Sequence, residues 1–98
     1  MPIEYEPSPD RFRGTGTVFI AWEPEDHDYF GYWDSLPQAP ASALEQMPRT
    51  RYLEEAIEWG RQRTSRVLIR PESDPGEHYW AGVGEPKDSD AELNRLDF

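Results

Sequence analysis

Two histidines and the carboxylates around them are the residues whose types and spacing could most readily do chemistry. His27 sits among Glu23, Glu25, Asp26 and Asp28, while His78 follows Glu72, Asp74 and Glu77. Imidazole nitrogen and carboxylate oxygen together can ligate a divalent cation, and an imidazole beside a carboxylate can relay protons. Neither segment has the ligand spacing of an EF-hand loop or an HExxH helix, and both read as solvated turns. A catalytic carboxylate needs a cleft that shifts its pKa, and carboxylate pairs in so acidic a chain do not by themselves mark one. There is no Ser-His pairing and no glycine-rich phosphate loop, and Gly14-Thr15-Gly16 is too short to act as one. The absence of cysteine removes thiolate catalysis, disulfides and cysteine-ligated zinc together. The expectation is no metal, no cofactor and no enzymatic activity.

Arginines and aromatic rings are the second group. Arg61, Arg63, Arg66 and Arg70 could bind an anion or an acidic partner, or pair with nearby glutamates and cap helix carbonyls. Trp22, Trp33 and Trp80 fall in strand-like segments, where rings can serve as stacking platforms for a sugar. The same rings are needed for a core. Hydrophobic residues make up only 36% of the chain, so four Trp, five Tyr and four Phe must supply much of the buried area. Each ring can bury about 150–250 Å².

The elements that position these residues follow from periodicity and punctuation. Thr50 to Thr64 reads as one amphipathic helix, with Thr50 as N-cap, glutamates early and arginines late, in accord with the helix dipole. Leu53, Ala56, Ile57 and Gly60 recur at three- and four-residue steps and make its apolar face. Gly60 costs about 1 kcal/mol against alanine inside a helix, so close packing is expected there. Val67 to Arg70 is a short β-branched strand stopped by Pro71. Thr17 to Trp22 is a strand, and Tyr29 to Trp33 pairs antiparallel with it. Gly31 marks a bulge or a tight contact with a neighbouring ring. Ala43 to Gln46 fits a third strand or one helical turn. Asp74-Pro75-Gly76 is strong turn chemistry, after which His78 to Val83 closes a hairpin with Val67–Arg70. Ser89 to Glu92 matches a capping box for a short helix.

At 98 residues the chain is one domain with a modest core. Residues 1–16 read as a loosely ordered N-terminal arm, 17–84 as a single α+β domain, and 85–98 as an acidic tail. The order β-β-(β)-α-β-β gives a small antiparallel sheet of three to five strands with one helix packed across a face. Its expected buried set is Val18, Ile20, Phe30, Leu53, Ile57, Val67, Ile69 and Trp80.

Charge narrows the partners. The net charge is −10, but Arg49 to Arg70 holds six arginines against three glutamates, which leaves −13 for the rest. So acidic a surface repels a phosphate backbone, and no nucleic-acid binding is expected. It suits a basic partner, whose approach long-range attraction would speed, although charge can also serve solubility alone. MPIEYEPSPD has neither a basic start nor an apolar run, and no stretch nears the roughly 20 apolar residues of a membrane helix. A cytoplasmic protein with no membrane association is expected.

A β-hairpin, a proline-containing crossing, and a helix that opens on Thr50, Glu54, Glu55, Ala56 and Ile57 together resemble the HicB-type antitoxin core. Tyr29–Trp33 matches its second strand, and the resemblance covers roughly residues 17–70. Ala56 to Arg66 with Tyr79-Trp80-Ala81-Gly82 also resembles small uncharacterised proteins of high-GC bacteria. Nothing after Gly84 reads as a helix-turn-helix or ribbon-helix-helix domain, so the resemblance implies the core without the repressor function. The favoured function is a small acidic protein-interaction module that binds a basic macromolecular partner, in the form of an antitoxin- or immunity-like inhibitor. A structural accessory protein and a small-ligand or sugar binder are the alternatives, and a homodimer stays open. The residues expected at the partner surface are Arg61, Arg63, Arg66 and Arg70, with Glu25, Asp26, His27, Asp28, Asp74 and Glu77.

Overall fold

The computed structural model describes residues 14–35 and 44–96. Most of the expected N-terminal arm, the centre of the proline-rich crossing and the last two residues of the acidic tail lie outside that range. The described elements are β1 (Thr17–Glu23), β2 (Asp28–Asp34), β3 (Leu44–Gln46), α1 (Leu53–Arg61), β4 (Val67–Arg70), β5 (Tyr79–Trp80) and β6 (Asn94–Arg95). A 3₁₀ turn over Asp88–Glu92 precedes β6. The protein is a small α+β domain with one six-stranded sheet in the order β3-β2-β1-β4-β5-β6.

The sheet is mixed, which corrects the antiparallel expectation and its ceiling of five strands. β1 and β2 form the expected hairpin, in continuous register from Thr17↔Asp34 to Glu23↔Asp28. β4 then lies on the far side of β1 and runs parallel to it, pairing Val18↔Val67 through Ala21↔Arg70. The reason is the connection. A helix between two strands carries the chain back along the sheet, so the second strand can start again in the direction of the first. β4 and β5 pair antiparallel, but β5 holds only Tyr79 and Trp80 and is shorter than the expected His78–Val83. Beyond it the amides of Ala81 and Val83 still donate to the carbonyls of Val67 and Ser65. The ambiguous third segment is a strand, Leu44–Gln46 against β2. The tail contributes β6, parallel to β5, and the Leu96 amide donates to the Trp80 carbonyl at 3.0 Å.

The helix covers nine residues and is shorter than expected at both ends. Its N-cap is Tyr52, not Thr50. Thr50 instead forms a β-bridge with Tyr29, whose backbone it meets in both directions. The Thr50 hydroxyl still serves the helix start, accepting from the Tyr52 amide at 3.1 Å and donating to Glu55 at 2.6 Å.

The core lies between α1 and one face of the sheet. Val18, Ile20, Tyr29, Trp33, Met47, Ala56, Ile57, Val67, Ile69 and Ala81 form it, with Trp22, Leu53, Trp59, Tyr79 and Leu96 packed at its border. Full burial of an aliphatic side chain stabilises by about 1.5–3 kcal/mol, so Val18, Ile57, Val67 and Ile69 carry a large part of this fold. Gly60 fits the close approach expected of it. A Cβ there would stand 3.0–3.1 Å from the Val67 and Val18 side chains. Gly31 sits in unbroken register, so it marks no bulge, and a Cβ on it would meet the Phe19 carbonyl at 2.5 Å, backbone and not a ring.

Two members of the expected core are placed differently. Leu53 is half-buried at the border, and Phe30 is 38% exposed. In Tyr29–Trp33 every second residue is aromatic or glycine on one face and aromatic on the other. Tyr29, Gly31 and Trp33 turn toward the helix, which leaves Phe30 and Tyr32 on the opposite side. Trp80 is buried as expected, but it pairs with Leu68 on that opposite side and its indole N–H donates to the Gly84 carbonyl.

Candidate functional site

Residues directly opposite in a sheet share a face, so the register defines the surface turned away from the helix. One row across it runs Tyr32, Phe19, Leu68, Trp80; the next runs Phe30, Ala21, Arg70. The Phe19 and Tyr32 rings are 5.5 Å apart and tilted by 36°. Leu68 and Trp80 are covered, whereas Phe30 and Tyr32 are 38% and 36% exposed, and Leu44 on β3 is 36% exposed. Phe19, Ala21, Phe30, Tyr32, Arg70 and His78 line a shallow groove of about 280 Å³ on this face. A volume this small suits one side chain, below the roughly 300–1,000 Å³ of drug-sized sites.

The acidic turns border the groove. Because β1 and β4 are parallel, the turn after β1 and the loop after β4 emerge at the same end of the sheet. The first carries Glu25, Asp26 and His27, leading to Asp28; the second carries Glu72, Asp74 and Glu77. Tyr29 ties them together. Its backbone pairs with Thr50, and its hydroxyl accepts from the Glu72 amide at 3.2 Å. Burial pushes the Tyr29 hydroxyl above the ordinary tyrosine pKa. Arg49 bridges rim and groove: its guanidinium bonds Asp28 at 2.9 Å and Asp26 at 3.0 Å while lying 5.4 Å from the Phe30 ring centre.

The two histidines lie on different sides of the sheet. His27 is exposed with φ of 53°, a left-handed turn position, and its ring stands edge-on to Trp22 at 6.4 Å, on the helix side. His78 lies in the groove, where its Nε2 accepts from Arg70 Nε at 3.1 Å. That bond requires a neutral ring protonated on Nδ1. Burial first, then the adjacent Arg70 charge, lower the His78 pKa, with Glu77 opposing them. Among the described residues, no three His, Asp or Glu side chains are grouped so as to hold a metal ion.

The four arginines singled out from the sequence do four different things. Arg63 bonds Glu45 at 2.6 Å and stacks on the Trp59 ring at 3.9 Å. Arg66 grips Asp90 with two bonds, at 2.6 and 2.9 Å, and donates to the Thr17 hydroxyl, which pins the tail segment onto the sheet. Arg61 donates to the Ala81 carbonyl at 2.8 Å. Arg70 alone of the four stands in the groove, and its hydrogen-bond partner is a neutral ring, not a carboxylate. Asp74 accepts from the Tyr79 hydroxyl at 2.8 Å, and Glu77 points to solvent.

Sequence reasoning looked for a ring platform at Trp22, Trp33 and Trp80. Trp33 is fully buried with its indole N–H on the Thr15 carbonyl, Trp80 is buried, and Trp22 packs at the core border. Tyr52 at the helix N-cap is 61% exposed, and on the open sheet face the exposed rings are Phe30 and Tyr32. The signal that could have found them is the two-residue period of β2, in which inward Tyr29 and Trp33 force the intervening aromatics outward. No helix among the described residues is long and apolar enough to cross a membrane. Comparison with family models, curated proteins and solved structures finds no match to this chain.

Proposed function

We propose that this chain is a protein-binding module that takes a basic partner across the open face of its sheet. The observation that carries the proposal is the exposure of Phe30, Tyr32 and Leu44 on one sheet face, with Phe30 at the end where the acidic turns emerge and Leu44 at the other end, opposite Asp34. Exposed aromatics in a shallow, desolvatable groove are the usual anchors of protein interfaces, and a charged rim adds orientation and association rate. The Arg49 side chain is an internal example of the complement: one guanidinium satisfies Asp26 and Asp28 and covers Phe30. A basic residue from a partner could use the same chemistry at the carboxylates Arg49 leaves open. The antitoxin- or immunity-like form of the proposal is supported by the net charge of −10 and by the resemblance at Tyr29–Trp33 and Thr50–Ile57.

Capture by the immobilised chain, compared with its Phe30→Ser/Tyr32→Ser variant, tests the proposal. Both positions are exposed, so the variant should keep its fold. The wild type is expected to retain a basic protein that the variant loses and that high salt releases, since charges are screened beyond about 8–10 Å near physiological ionic strength. Equal capture by both proteins, or a partner that is acidic and insensitive to salt, would refute it.

A further inference from the structure

The chain is rich in acid, and Arg49, Arg63, Arg66 and Arg95 each bond a carboxylate, while Arg61 donates to the Ala81 carbonyl. Among the described residues Arg70 bonds no carboxylate. It lies in the groove with Phe19, Phe30 and Tyr32, and its Nε–H is held by His78. That bond orients the planar group while its two Nη nitrogens make no hydrogen bond within the described residues. A guanidinium fixed at one edge and open along the other is the geometry that takes a carboxylate through two parallel bonds.

We infer that the groove binds the C-terminal residue of a partner chain, with its free carboxylate on Arg70 and its apolar side chain against Phe30 and the packed Phe19–Tyr32 ring pair. This rests on the protein-binding proposal above and specifies the segment recognised. One groove of about 280 Å³ must hold both the apolar and the anionic group. A C-terminal residue carries both on a single Cα, whereas an internal acidic residue would need a neighbour to fill the aromatic part. Capture of a terminal carboxylate is an established mode of peptide recognition. The acidic rim beside Phe30 then takes basic residues just before the terminus, as Arg49 already illustrates. The partner segment is therefore a basic run ending in an aromatic or aliphatic residue.

The probes are acetyl-Lys-Lys-Phe with a free carboxylate and the same peptide as its C-terminal amide, titrated into the ¹⁵N-labelled full chain. General electrostatics favour the amide, because it is the more cationic peptide and the chain carries −10. The inference predicts the opposite order. The free acid should bind about tenfold more tightly, as expected for a charge-assisted bond, with shift changes centred on Phe30, Tyr32, Arg70 and His78. Arg70→Gln, a substitution at an exposed position, should erase that preference, so that the free acid no longer binds more tightly than the amide. Equal binding of the two peptides to the wild type, a preference for the amide, or shifts centred on α1 would overturn the inference. Those outcomes leave the Phe30→Ser/Tyr32→Ser capture result standing, so failure of the anchor is separable from failure of the protein-binding proposal.

Discussion

His78 carries the clearest pH signature at the level of single residues. Its neutral Nε2 accepts from Arg70, and burial and the Arg70 charge both depress its pKa, against a smaller opposing effect of Glu77. The unfolded chain therefore binds the proton more readily than the folded one. Stability from this group is present above the unfolded value of about 6.5 and is lost as pH falls through the lower folded value. Urea unfolding of the wild type should lose stability between about pH 7.5 and about pH 5.5, and His78→Gln should lose less over the same interval. An identical loss in the variant would show that His78 does not contribute. The arginines were legible as a group from the sequence, but their partners were not. Glu45 lies 18 residues from Arg63, and Asp90 lies 24 from Arg66. Pairing over such separations is decided by topology and not by local pattern, so nothing near Arg70 in the chain shows that its partner is His78 and not an acid.

At the level of elements, the helix face was the most legible feature, because a 3.6-residue period and a glycine within it both have direct packing consequences. Ile57 is 1% exposed and Gly60 allows α1 to approach Val18 and Val67. Ile57→Ala should lower stability by about 2–4 kcal/mol, measured by chemical denaturation, since the cavity would lie at the centre of the core. A variant as stable as the wild type would contradict the packing described. The direction of β4 was not legible, because a three-residue apolar run reads the same in parallel and antiparallel pairing. Nor was the facing of β2, where Tyr29–Trp33 offers rings to both sides and Phe30 was assigned inward. That one error of facing hid the groove, since a strand shifted by one residue exchanges its two surfaces.

For the whole molecule, parallel β1 and β4 are what join the parts. Their common direction brings the two acidic turns to one end of the sheet, beside the aromatic face, although Asp26 and Asp74 are far apart in sequence. The helix occupies the opposite face, so one side of the sheet is closed by the core while Phe30 and Tyr32 stay exposed on the other. The charge of −10 was visible from composition, but its placement next to exposed rings required the topology. Site-directed photocrosslinking with the captured partner tests this two-sidedness most directly. A benzophenone amino acid at position 32, on the open face, should crosslink the partner, while one at position 58, on the exposed side of α1, should not. Crosslinking from position 58 and none from position 32 would contradict the account and place the partner on the helix.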